Sequence, residues 1–145
     1  MFEDGSREPL HGHNYRVQIK GEAPELIHDM VFDFLDIKPI VRRICDSLDH
    51  KVLIPGNCPY LQIKDDDQNW QLITKDESYF SLPKKDTLIL DLSNTSAERL
   101  AIYLCQKIRE QVQQEYGFEF SQLEVEVEET PGQSAVYVFK AEKKK

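Results

Sequence analysis

His11 and His13 stand two residues apart in a stretch, Leu10 to Lys20, that alternates apolar and polar side chains. On a strand, residues i and i+2 project to the same face, so both imidazoles could reach one metal ion. Tyr15, Val17 and Ile19 share that face, while Asn14, Arg16, Gln18 and Lys20 share the other. An unsatisfied imidazole among apolar side chains is costly. A metal ion or hydrogen bonds to backbone would each satisfy the pair, and the spacing alone does not choose between them.

Three carboxylates raise related questions. Asp49 precedes His50 at the end of an amphipathic stretch, where the acid can orient the ring for proton transfer. The simpler reading is an imidazole complementing a helix C-terminus. Glu129 follows a strand in which Leu123, Val125 and Val127 face one side and Glu124, Glu126 and Glu128 the other. It therefore falls on the apolar side, where a carboxylate is paired, waits for a ligand with donors, or sits at a solvated strand end. Glu8 lies three residues before His11, near any metal held there, and could act as a base. Glu98 is explained by a Thr95-Ser96-Ala97-Glu98 capping box, and His28 by a polar loop.

The elements that must position these groups follow from periodicity. The first strand, Leu10 to Lys20, is closed by Gly21. A helix then runs to Leu48 on an apolar stripe of Phe34, Ile37, Val41 and Ile44, with Pro39 placing its start near Asp36. The region from about 52 to 90 is β-rich. Tyr60–Ile63 and Trp70–Thr74 flank an Asp65–Asn69 turn, and Tyr79–Leu82 adds a third short strand. The Asp65–Asp67 run lacks the alternating acids and terminal glutamate of a calcium loop. A second helix spans Ala97 to Glu115, ended by Gly117, and strands Leu123–Glu129 and Ser134–Lys140 are joined by Pro131-Gly132. The expected architecture is one α+β domain over 1–145, an antiparallel sheet with two helices on one face.

Composition excludes several classes. The 145 residues carry a net charge of −8, which disfavours nucleic acid and anionic membranes as partners. Hydrophobic residues make up 40% and charged residues 30%, a globular balance. Cys45, Cys58 and Cys105 form neither a disulfide framework nor a thiolate metal pair, so a reducing, cytoplasmic setting is expected. No apolar run approaches the roughly 20 residues that span a bilayer, and Lys143-Lys144-Lys145 reads as a solvated tail.

Taken in order, His11-Gly12-His13-Asn14-Tyr15, Met30-Val31-Phe32-Asp33-Phe34, Leu48-Asp49-His50, Thr95-Ser96-Ala97-Glu98 and Val127-Glu128-Glu129-Thr130 resemble the 6-pyruvoyl tetrahydropterin synthase family. The resemblance implies the tunnelling fold, with subunits closing into barrels as a hexamer of two trimers and active sites between subunits. It implies a zinc ion (Zn2+) held by three histidines, two of which match His11 and His13. It assigns Asp49 and His50 to proton transfer, Glu129 to anchoring the pterin, and Ser96 to a place beside it.

Two departures shape the expectation. The family's catalytic cysteine, a few residues before His-Gly-His, is absent, and Arg7-Glu8-Pro9-Leu10-His11 is similar to a branch that uses glutamate instead. That branch carries a β-rich insertion and converts 7,8-dihydroneopterin triphosphate to 6-hydroxymethyl-7,8-dihydropterin. The family's third zinc histidine lies on a preceding strand, and none of the ten residues before His11 is a histidine. Either the chain is truncated at an internal methionine or the metal site is incomplete; as it stands, a sheet without that strand and a site with two of three zinc histidines are expected. The resemblance implies a zinc-dependent pterin lyase with Glu8 as base, its product 6-hydroxymethyl-7,8-dihydropterin, 6-pyruvoyl tetrahydropterin, or both. A 6-carboxytetrahydropterin synthase-like enzyme and a non-catalytic pterin-binding relic are the alternatives.

Overall fold

The computed structural model describes residues 1–142, and the Lys143-Lys144-Lys145 tail lies outside them. Its centre is strand β7 (Gln122–Thr130), flanked antiparallel by β1 (Arg16–Glu22) and β8 (Gln133–Lys140). Leu123, Val125 and Val127 alternate along β7 and are almost completely buried. They meet helix α2 (Ala97–Tyr116) through Leu100, Leu104, Ile108 and Val112, and helix α1 (Phe34–Leu48) contributes Ile37 and Ile40 to the same core. Burying each such side chain contributes about 1.5–3 kcal/mol. This is the expected α+β arrangement, helices on one face and charged residues on the other. On that outer face Lys20 pairs with Glu124 at 2.7 Å. Among the described residues no helix is long and apolar enough to cross a membrane.

Several boundaries differ from the sequence reading. β1 starts at Arg16, not Leu10, because its partner runs out: Arg16 faces Glu128, and β7 soon reaches the Pro131-Gly132 turn. His11 and His13 therefore lie outside the ladder. α1 begins at Phe34 with Asp33 as its cap, its carboxylate accepting from Leu35 N at 2.7 Å. Pro39 thus sits in the second turn, where its missing N–H leaves the carbonyl of the exposed Leu35 without its usual partner. At α2 the cap is Ser96 rather than Thr95, so Glu98 falls one position short of closing a capping box. Gly117 ends that helix in the left-handed region, φ 64°, a conformation glycine adopts without penalty.

Between the helices, β2 (Val52–Pro55) pairs in parallel with β6 (Thr87–Leu90), an element the sequence reading did not anticipate. Four-residue apolar runs show no period that separates a strand from other buried segments. The connection between them is an antiparallel meander of β3 (Leu61–Asp66), β4 (Asn69–Thr74) and β5 (Tyr79–Pro83), closed by a single helical turn at Lys84–Asp86. Asp65 and Asp66 belong to the ladder, opposite Trp70 and Asn69, so the turn is narrower than expected.

The first ten residues form no regular element and fold over the meander. Tyr60 Oη donates to the Glu3 carbonyl at 2.7 Å, Lys75 Nζ to the Asp4 carbonyl at 2.6 Å, and Asn94 Nδ2 to the Met1 carbonyl at 2.9 Å. Gly5 is buried beneath them at φ 82°, and a Cβ there would stand 2.5 Å from Lys75 Cδ and 3.0 Å from Tyr60 Cδ1. Gly5→Ala combines backbone strain with that clash, so it is expected to cost about 1–3 kcal/mol. A lowered thermal midpoint checks this.

Candidate active site

A cleft of about 630 Å³ opens where the end of the sheet, the start of α2, the N-terminal segment and the meander converge. That volume suits a small-molecule ligand. Glu8, His11, His13, Ser96 and Glu129 all line it, although they come from three separate parts of the chain.

Glu129 sits at a bulge. Glu128 pairs with Ser134 and Thr130 with Gln133, which leaves Glu129 as the unpaired residue of the β7–β8 hairpin. Its Oε1 lies 3.2 Å from His13 Nε2. Tyr15 stands on the same side, 5.6 Å from His13 between ring centroids. Partial burial, and then the Glu129 carboxylate, push the Tyr15 phenol above its usual value, so it stays protonated and able to donate.

The second carboxylate–imidazole pair sits beside the first. Glu8 Oε2 lies 3.8 Å from His11 Nε2, and His11 Nδ1 lies 2.7 Å from the Pro9 carbonyl. The carbonyl fixes Nδ1 as the donor and leaves Nε2 as a possible metal ligand. The rings of His11 and His13 are 4.7 Å apart at 80°, close enough to serve one ion. Catalytic zinc ordinarily has three protein ligands. Among the described residues no three His, Cys, Asp or Glu side chains cluster as a metal site. The donor types fit zinc, and this chain brings two of them.

Asp49 and His50 lie elsewhere. Asp49 caps α1, and His50 follows in the left-handed conformation, φ 55°. The two side chains pair at 3.0 Å, but His50 is 92% exposed and neither lines the cleft. Ser96 does line it, with its hydroxyl also accepting from Arg99 N at 3.4 Å. Glu98, which the capping reading had accounted for, lines it too.

Sequence reasoning missed Arg7 and underused Tyr15. Tyr15 was marked by its place on the His11–His13 face. Arg7 carries no local signal, because its partners Asp76 and Ser78 lie across the meander. Asp76 is held at about 2, first by hydrogen bonds from Thr74 and Ser78 and further by Arg7. Its depressed value means the stability it lends is present above the ordinary carboxylate range and fades as pH falls towards 2.

The cleft thus gathers two carboxylate–imidazole pairs, one on the N-terminal segment and one reaching the end of β7. The sequence model described as 6-pyruvoyl tetrahydropterin synthase matches residues 1–139, and the chain belongs to that family. It is 35% identical over 130 residues to a provisionally named 6-carboxy-5,6,7,8-tetrahydropterin synthase of Methanocaldococcus jannaschii, covering 88% of this chain and 78% of that one. The crystal structure of 6-pyruvoyl tetrahydropterin synthase from Plasmodium vivax superposes with a TM-score of 0.86 at 30% identity, covering 95% of this chain and 86% of that one. The Plasmodium falciparum protein gives 0.85 at 28% identity, with 97% and 87% covered. Variants of the P. vivax protein replace a glutamate described as its catalytic residue.

Proposed function

We propose that this protein is a zinc-dependent pterin lyase of the glutamate-using branch, converting 7,8-dihydroneopterin triphosphate to 6-hydroxymethyl-7,8-dihydropterin. The observation that carries this reading is the Glu8–His11 pair beside the Glu129–His13 pair in one cleft. The catalytic glutamate described for the P. vivax protein supports it.

In this reading His11 and His13 hold the ion. When bound, zinc supplies Lewis acidity towards the hydroxyls of the substrate side chain. Glu129 accepts hydrogen bonds from the amino and ring N–H donors of the pterin, and Ser96 sits beside the ring. His13 Nε2 now faces Glu129, so ligation through that nitrogen would release the carboxylate to the substrate. Glu8 takes the proton of the hydroxyl on the second side-chain carbon. The bond between the first and second carbons then breaks as the second carbon becomes the aldehyde of a departing two-carbon triphosphate fragment, the bond's electron pair passes into the pterin ring system, and a proton returns at the first carbon.

That returning proton is assigned to His50, oriented by Asp49. The pair is exposed outside its own cleft, and in this reading it acts from a neighbouring subunit of a proposed hexamer of two trimers. Leu26, Ile27, Met30, Phe34 and Leu35 are exposed around the start of α1, an apolar surface that suits such an assembly.

Product analysis after incubation with 7,8-dihydroneopterin triphosphate tests the reading. Hydroxymethyl product supports it, and 6-pyruvoyl tetrahydropterin alone refutes the carbon–carbon cleavage. The provisional name of the M. jannaschii relative favours a second reading, a 6-carboxytetrahydropterin synthase, for which 6-carboxytetrahydropterin would be found. Chelator dialysis should remove metal and activity together, and His13→Ala should lower the bound zinc. A folded oligomer that never takes up zinc would point instead to a pterin-binding relic.

A further inference from the structure

The segment that carries Glu8 has no hydrogen-bonded ladder on either side, so its position depends on what ties it down. Arg7 makes four such contacts. Its Nη1 donates to the Glu8 carbonyl at 3.2 Å and its Nη2 to Ser78 Oγ at 2.7 Å. Its Nε, buried and without a formal hydrogen bond, faces Asp76 Oδ2 at 3.4 Å. Its guanidinium lies 5.1 Å from the Phe80 ring centroid. One planar fork thus joins the backbone of Glu8 to the β4–β5 turn, a geometry that lysine cannot reproduce.

We propose that Arg7 is a positioning residue that acts through Glu8, and that the β4–β5 turn, through Asp76 and Ser78, is its anchor. The meander thereby fixes where the Glu8 carboxylate meets the substrate. Asp76 and Ser78 do not line the cleft themselves, so their effect on the reaction must pass through Arg7. Asp76 is suited to the anchor because it keeps its charge far below neutral pH. A displacement of about 1 Å in a reacting group can lower a rate by about 10²-fold. The proposal rests on Glu8 as the base.

The test compares Arg7→Met, Arg7→Lys and the pair Asp76→Asn/Ser78→Ala in the full-length zinc-loaded protein. Initial rates with 7,8-dihydroneopterin triphosphate are measured beside amide exchange over residues 6–13. Arg7→Met and the anchor pair should each lower kcat by about 10–100-fold, leave KM within about 2-fold, and speed exchange of the segment. Arg7→Lys should fall between them and wild type. In a Glu8→Gln background, Arg7→Met should lower the residual rate no further. An unchanged kcat overturns the proposal, as does a raised KM with unchanged exchange, which would place Arg7 on the substrate. Full activity of Glu8→Gln alone would instead remove Glu8 as base, and the exchange measurement would still report whether Arg7 holds the segment. The anchor pair keeps the test valid if Arg7→Met fails to fold.

Discussion

Glu8→Gln is expected to lower kcat for 6-hydroxymethyl-7,8-dihydropterin formation by about 10²–10⁴-fold, the usual worth of a positioned general base. The amide has the same shape but cannot take a proton. Glu8 is largely exposed on the cleft rim, with His11 at 3.8 Å as its near partner, so the substitution leaves no buried group stranded. KM and thermal stability should therefore stay close to wild type, and the loss should appear in the chemical step. Single-turnover rates give a sharper signature, because they isolate the step in which the base acts. A product rate equal to wild type would sink the assignment.

Glu129→Gln should act on binding. The carboxylate offers acceptors to a ligand edge made of N–H donors, and an amide nitrogen in its place meets those donors with another donor. Charge-assisted hydrogen bonds are the strong ones, and a buried donor left unpaired adds its own penalty. Together these predict about a 10²–10³-fold drop in kcat/KM, carried mainly by KM. Pterin binding measured by fluorescence should weaken in this variant and persist in Glu8→Gln. Equal pterin affinity in wild type and Glu129→Gln would refute the anchoring role. The contrast between the two variants separates a group that binds from a group that reacts.

The parts of the site that were readable in the sequence are those set by local periodicity. The His11–His13 juxtaposition followed from alternation, even though the ladder itself starts only at Arg16. The place of Glu129 followed from counting along Leu123, Val125 and Val127, and the hydrophobic stripe of α2 was equally plain. What escaped was set by partners distant in the chain. The bulge that leaves Glu129 unpaired depends on the register of β8, which no feature of β7 announces. The parallel β2–β6 pair depends on a crossover through the whole meander. Arg7 meets Ser78 across 71 positions, and nothing around either residue signals the other. Pro39 misled for a related reason: a helix tolerates a lost bond in its second turn when the orphaned carbonyl belongs to an exposed residue.

The ties of the N-terminal segment also imply an order of assembly. Helix α2 and the hairpin β7–β8 follow one another in the chain and pack together, so they can nucleate early. The bonds from Lys75 to Asp4 and from Asn94 to Met1 span 71 and 93 positions and reward the chain only after the meander has formed. Docking of the N-terminal segment over the cleft is then expected to be the last contact formed during folding and the first lost under mild denaturation. A population can keep its full helical signal while holding no working cleft, and its specific activity would report the N-terminal docking rather than the integrity of the core.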